Sequence, residues 1–171
     1  AALPGGKFVA IYGDASSNDG SGYGVFAKVF NADGTVAVAE QVVPTTVAGN
    51  QYGHDVAVLA DGGYVVVWWS ADDQIHGQRF DAAGAKLGAQ FQVSTADSAS
   101  YQDYARVAAL ADGGFVVAWD SYNGIGGSTY DVFIQQFDAA GTKVDGPTVV
   151  NANIASTQYL PDIAALTGSN F

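Results

Sequence analysis

The apolar residues of this chain fall in short runs that are separated by turn-forming residues. The run at 64–69 (YVVVWW) is apolar at every position, which predicts a strand buried on both faces. The ADGG segment at 60–63 tolerates positive φ and predicts a hairpin that joins this strand to the residues before Leu59. Alternating patterns at 75–81 and 90–94 predict two more strands, the last an exposed edge. The pattern therefore indicates a unit of four antiparallel strands.

This unit recurs along the chain. Four anchor leucines stand 56, 51 and 56 residues apart, each followed five positions later by an aromatic residue: Leu3, Leu59, Leu110 and Leu166. Such a spacing indicates a repeat architecture. We treat residues 1–171 as one repeat domain with phases 3–58, 59–109 and 110–165 and the start of a fourth phase at 166. Because both ends fall in the same phase, we expect a fragment of a longer array.

The repeats predict an all-β fold of three tandem four-stranded antiparallel units. Units of this kind, apolar on both faces of their inner strands, are typical of the blades of a β-propeller or a propeller-like arc. Propellers typically need about 4 to 8 blades, so we expect self-association or further blades of a longer chain to complete a ring. The alternative is a closed threefold β-prism or β-trefoil, which would not explain the similar phrases AALPGGKF and AALTGSNF at the two ends.

Composition narrows the class of partner. The net charge of −11 would repel nucleic acid and anionic membrane surfaces. No apolar run approaches the roughly 20 residues of a membrane span, so we expect no membrane insertion. Cysteine is absent, which removes disulfides, thiolate metal sites and thiol nucleophiles.

The segments LADGGYVVVWWS (59–70) and LADGGFVVAWDS (110–121) carry a family resemblance. They resemble the DGGFVVAW-type repeats of very large secreted and surface proteins of bacteria, which often accompany hemolysin-type (RTX) or VCBS repeats. The resemblance implies an extracellular or cell-surface structural module, calcium dependence and no particular enzyme. The chain departs from the RTX pattern because it has no tandem GGxGxD nonapeptides, and its first unit departs from the other two at Pro4 and Tyr12.

Oxygen-bearing side chains collect around the loop between the second and third strands of each unit. Calcium binds six to eight oxygen ligands, which predicts calcium sites in these loops. The alternative is that the same residues only shape local Asx turns. The candidate calcium ligands are Asp14, Asn18, Asp19, Asp72, Asp73, Asp120, Asn123 and Asp131.

Three glutamines stand eight residues before an anchor leucine, each beside a tyrosine. Amides next to aromatic rings can hydrogen-bond and stack on sugars, so this pattern predicts repeated glycan sites at Gln51, Gln102, Gln158, Tyr52, Tyr101 and Tyr159. The alternative is that each glutamine caps backbone groups of its own unit. Trp69 has no aromatic equivalent and joins the candidates, whereas Trp68 and Trp119 occupy equivalent buried positions and are expected in the core.

The sequence offers little for catalysis. His54 and His76 fall in different strands, and nothing in the spacing brings His54 to Ser70 as part of a hydrolytic set. A GxSxG elbow, a Walker loop and a dinucleotide fingerprint are all absent. We therefore expect no catalytic residues, and a non-catalytic module for adhesion, assembly or scaffolding rather than an enzyme. A carbohydrate-binding lectin with repeated sites is the alternative.

Overall fold

The computed structural model describes residues 1–16, 18–94, 101–122, 130–153, 155–166 and 170–171. Within them the regular elements are β-strands, apart from a 3-10 turn at Pro4–Gly6. None of these residues belongs to a helix with the length and hydropathy that crossing a membrane requires.

The strands form three antiparallel sheets. Sheet I contains β1 (Phe8–Asp14), β2 (Gly24–Phe30) and β3 (Val36–Val42). Sheet II contains β4 (Gln51–Val58), β5 (Tyr64–Ser70), β6 (Gln74–Phe80) and β7 (Lys86–Gln92). Sheet III contains β8 (Gln102–Ala109), β9 (Phe115–Tyr122), β10 (Tyr130–Phe137) and β11 (Lys143–Val149).

The all-β fold is confirmed, and sheets II and III have the predicted four strands. Among the described residues sheet I has three strands, and the place of β4 and β8 beside its first strand holds only an isolated bridge between Ala2 and Phe8. The last strand of sheet II begins at Lys86 and not at residue 90, because a register shift lets Lys86 pair with Phe80. This strand is therefore longer than its polarity suggested.

The DGG turns before β5 and β9 require glycine for two different reasons. The first glycine has positive φ, 84° at Gly62 and 91° at Gly113, which side chains other than glycine rarely adopt. At the second glycine, an added Cβ would lie 2.3 Å (Gly63) or 2.4 Å (Gly114) from the backbone oxygen that ends β6 or β10. The first glycine thus allows the hairpin turn, and the second allows the backbone of the neighbouring strand to lie close to it.

The sheets pack against one another through repeated aromatic pairs. Tyr64 stacks on Phe80 with ring centroids 4.6 Å apart, and both side chains are buried against sheet I. Phe115 stacks on Phe137 at 4.7 Å, and this pair is buried against sheet II. The same two interfaces hold the tryptophans predicted for the core, Trp68 and Trp119.

The segment 155–166 repeats the path of β4 and β8 beside sheet III. The backbone N–H of Gln158 donates a hydrogen bond to Tyr130 O at 2.9 Å, as the backbone N–H of Gln51 donates to Tyr23 O at 2.8 Å. Ile163 packs on the buried cluster of Ala108, Leu110 and Val116. This C-terminal segment therefore forms one wall of the space beside β8 and β9.

Candidate active site

A cavity of about 390 Å³ lies between sheet III and the C-terminal segment. Its lining combines four tyrosines, two aspartates and one threonine: Tyr101, Tyr104, Tyr130, Tyr159, Asp103, Asp120 and Thr157. Aromatic rings beside a small number of polar groups are typical of small-molecule sites.

The two aspartates come from adjacent strands. Asp103 in β8 is the direct cross-strand partner of Asp120 in β9. The β8–β9 register shifts just beyond this pair, and Tyr104 takes up the irregularity with a φ of 51°. Because residues opposite each other in an antiparallel pair have Cα atoms about 4.5–5.5 Å apart, the two carboxyl groups share one part of the cavity.

Asp120 is fully buried. Its Oδ2 accepts a hydrogen bond from the Leu160 amide at 3.2 Å, while its Oδ1 has no hydrogen-bond partner among the described residues. Burial raises the pKa of Asp120 to about 6, a net value that includes a lowering by the hydrogen bond from the Leu160 amide and a smaller rise from the negative charge of Asp103. This carboxyl group is therefore partly protonated near neutral pH and can donate a proton.

Asp103 is held at both oxygens. Its Oδ2 accepts the Tyr101 hydroxyl at 3.0 Å, and its Oδ1 accepts the Tyr104 amide at 2.8 Å. Partial burial raises the pKa of Tyr101, and the charge of Asp103 raises it further. Burial and the charges of both aspartates also raise the pKa of Tyr130. The tyrosine hydroxyls thus stay protonated and offer neutral hydrogen-bond donors inside an acidic cavity.

The acidic pair departs from the repeat. In sheet II the equivalent positions hold Tyr52 and Trp69, which stack with centroids 5.4 Å apart. Like charges directly opposite each other destabilise a sheet, whereas aromatic pairs stabilise it. The fold therefore does not require Asp103 and Asp120, which makes the pair a candidate for a functional role. Sequence reasoning missed Asp103; its signal was a carboxylate at a position where the repeats on either side have Tyr52 and Tyr159.

The predicted calcium ligands of the first loop are engaged in hydrogen bonds within that loop. In the first loop Asp14 accepts hydrogen bonds from Ser16 and Asn18, and these bonds lower its pKa. Asp19 accepts the Ser21 amide at 3.0 Å. In the part of the chain that the structure describes, no three acidic or histidine side chains come together as metal ligands would. Calcium binding stays a prediction.

The remaining calcium candidates serve different surroundings. Asp72 contacts His76 Nε2 at 2.9 Å, and Asp73 lies in the following turn position with a φ of 61°. Asp131 is buried in β10, where it accepts the Asn151 amide at 2.8 Å. Asn123 lies outside the described residues.

The predicted glycan residues separate into two groups. Gln51 and Gln102 are buried, and the Gln51 amide donates to Gly49 O at 3.0 Å, in accord with the capping alternative. Gln158 accepts the Asn151 amide at 3.0 Å beside the cavity. The aromatic candidates instead reach the surface: Tyr101 and Tyr159 line the cavity, while Tyr52 and the half-buried Trp69 lie on sheet II.

Solved structures share this fold. An endo-arabinase from Bacteroides thetaiotaomicron matches with a TM-score of 0.51 and 15% identity, covering 87% of this chain and 60% of the other. A GH43 endo-arabinanase from Bacillus licheniformis matches with a TM-score of 0.50 and 16% identity, covering 86% of this chain and 57% of the other. The chain thus spans less than two thirds of their length. No family model matches the chain, and a search of curated proteins found no match.

These matches correct the functional predictions. The prediction of a non-catalytic adhesion or scaffolding module, and of a protein that is not an enzyme, is wrong because both matched structures are enzymes. The lectin alternative with repeated sites is corrected on the same finding. The repeats predicted the fold, whereas the candidate site lies where the third sheet departs from the repeat.

Proposed function

We propose that the protein is a carbohydrate-active enzyme that hydrolyses glycosidic bonds in the cavity of sheet III. The observation that carries this proposal is the cross-strand pair of Asp103 and Asp120. Glycoside hydrolases use two carboxyl groups, one protonated with a raised pKa and one charged. Asp120 has the raised pKa, and Asp103 accepts a hydrogen bond at each of its two oxygens.

In this proposal Asp120 gives its proton to the leaving glycosidic oxygen as the bond to the anomeric carbon breaks. The charged Asp103 stabilises the positive charge that develops on the sugar. Water supplies the hydroxyl that ends on the anomeric carbon, and its remaining proton returns to the carboxyl pair. Protonated tyrosine hydroxyls around the pair orient the sugar by hydrogen bonds.

The fold supports a carbohydrate substrate because the matched structures are endo-arabinanases. We further propose that the three sheets are consecutive blades of an open propeller-like arc, since sheets II and III each bury a stacked aromatic pair against the sheet before them. We also propose that the protein acts outside the cell, because polysaccharides of this kind are found there.

The test is hydrolysis of a polysaccharide panel that includes arabinan, followed by the release of reducing ends. We expect Asp120→Asn and Asp103→Asn each to lower kcat/KM by at least about 100-fold, the lower bound for losing a general acid or base. Asp131→Asn is the matched control, because Asp131 is a buried aspartate of the same sheet that does not line the cavity. Equal loss in all three variants, or no cleavage of any glycan, would overturn the proposal.

A further inference from the structure

Four aromatic side chains form a continuous row that ends at the cavity. The row, called here the aromatic row, consists of Tyr23, Tyr52, Trp69 and Tyr101. Successive ring centroids along it lie 5.0, 5.4 and 5.7 Å apart. The row therefore spans all three sheets or their connecting segments along one side of the molecule.

The aromatic row is open to ligand. Tyr23, Tyr52 and Tyr101 are 45%, 37% and 39% exposed. Tyr23 and Tyr101, at the two ends, are each tilted by 49° from their single neighbour within the row. The row thus presents ring surface and phenol groups together, the combination that suits a partner with apolar faces and hydroxyls.

The repeat explains Tyr23 and Tyr52, which recur as Tyr130 and Tyr159, but it does not explain Trp69 and Tyr101. Positions equivalent to Trp69 hold Gly13 and Asp120, and positions equivalent to Tyr101 hold Asn50 and Thr157. A residue needed for the packing of every unit would recur, as the stacked Tyr64–Phe80 and Phe115–Phe137 pairs do. The continuation of the row through Trp69 to Tyr101 is therefore a local feature of one part of the surface.

Tyr101 connects the aromatic row to the acidic pair. Its ring is tilted against Trp69, and its hydroxyl donates to Asp103 at 3.0 Å inside the cavity. A sugar chain that places one bond at Asp103 and Asp120 would continue past Tyr101 onto Trp69 and Tyr52. The acidic cavity and the net charge of −11 would repel a chain of uronic acids.

We propose that the aromatic row binds the sugar units of a neutral linear polysaccharide that extend beyond the cleaved bond. This inference rests on the proposed function, and it adds the substrate class: a long uncharged chain rather than a single sugar or a short terminal unit. Affinity then rises with chain length until the row is filled, because each added unit meets another aromatic side chain.

The test measures binding to Asp120→Asn protein, which holds substrate without cleaving it. Neutral arabinan oligosaccharides of increasing length are titrated by calorimetry into this protein, with and without Tyr52→Ala. We expect Tyr52→Ala to weaken the longest ligands by about tenfold, the order of one lost aromatic contact, and to leave a disaccharide unaffected. Leu87→Ala is the control, because Leu87 is exposed but lies outside the aromatic row.

The outcomes separate the two proposals. Equal affinity at all chain lengths, or the same loss in the Tyr52→Ala and Leu87→Ala variants, overturns the aromatic row while cleavage by the unmodified protein still supports the acidic pair. Length-dependent binding that Tyr52→Ala abolishes supports the row even where no cleavage is found. Absence of binding to every oligosaccharide counts against both.

Discussion

At the scale of single residues, Asp120 is a position where the requirements of folding and of chemistry conflict. Its carboxyl group is fully buried, and the opposing residue, Asp103, carries the same charge. The fold would be better served by the aromatic pair found at the equivalent positions of sheet II. Retaining an acidic pair here fits a site at which a proton must be available near neutral pH.

This conflict predicts a pH-dependent stability. The pKa of Asp120 in the folded protein, about 6, exceeds its ordinary value of 3.8, so the folded state binds more protons between these values than the unfolded state. The free energy of unfolding should therefore fall as the pH rises from about 4 to 6, by about 3 kcal/mol for a shift of this size. Asp120→Asn removes the free-energy cost of ionising a buried carboxyl group and keeps an acceptor for the Leu160 amide.

Denaturant unfolding at pH 4 and pH 7.5 checks this prediction. We expect Asp120→Asn to be more stable than the unmodified protein at pH 7.5 and to lose most of that advantage at pH 4. Catalysis should show the complementary effect, with kcat/KM declining above pH 6 as the proton donor ionises. If Asp120→Asn were equally destabilised at pH 4 and at pH 7.5, the fold would require Asp120 in its carboxylate form.

At the scale of elements, the DGG hairpins give the sharpest prediction. Gly113→Ala should lower the free energy of unfolding by about 1–2 kcal/mol, because the residue has positive φ. Gly114→Ala should cost about 3 kcal/mol, since its new Cβ would clash with a backbone oxygen at 2.4 Å. Gly146→Ala is the control with open space around it, and chemical denaturation measures all three. A larger loss of stability in Gly113→Ala than in Gly114→Ala would contradict this account of the motif.

The same elements show which parts of the fold can be predicted from the sequence. The anchor leucines, DGG turns and doubly apolar strands predicted β5 and β9, because local patterning and packing agree there. The fourth strand predicted for sheet I is not formed among the described residues, where an isolated bridge between Ala2 and Phe8 lies beside β1 instead. The cavity could not be predicted, since it depends on Asp103 and Asp120 meeting across a register and on the path of the C-terminal segment. The family resemblance and the calcium sites stay predictions.

At the scale of the whole molecule, sheets II and III each pack against the sheet that precedes them in the chain. The stacked pairs Tyr64–Phe80 and Phe115–Phe137 are each buried against the preceding sheet. Sheet I has the same arrangement in Phe8 and Phe30, which stack with centroids 5.1 Å apart. No sheet of the described chain covers this pair, and Phe8 is 40% exposed. The surface that sheets II and III bury is therefore open on sheet I.

We expect a second copy of the chain to cover this surface, because its partner in the two internal interfaces is another sheet of the same repeat. Light scattering across a range of concentrations should give a mass above that of one chain, and Phe8→Asp should lower it to a monomer by placing a charge in the interface. Val144→Asp is the control, because Val144 is similarly exposed on the edge strand β11. A monomer at every concentration, or equal dissociation by both variants, would show that sheet I is stable with its aromatic pair facing water.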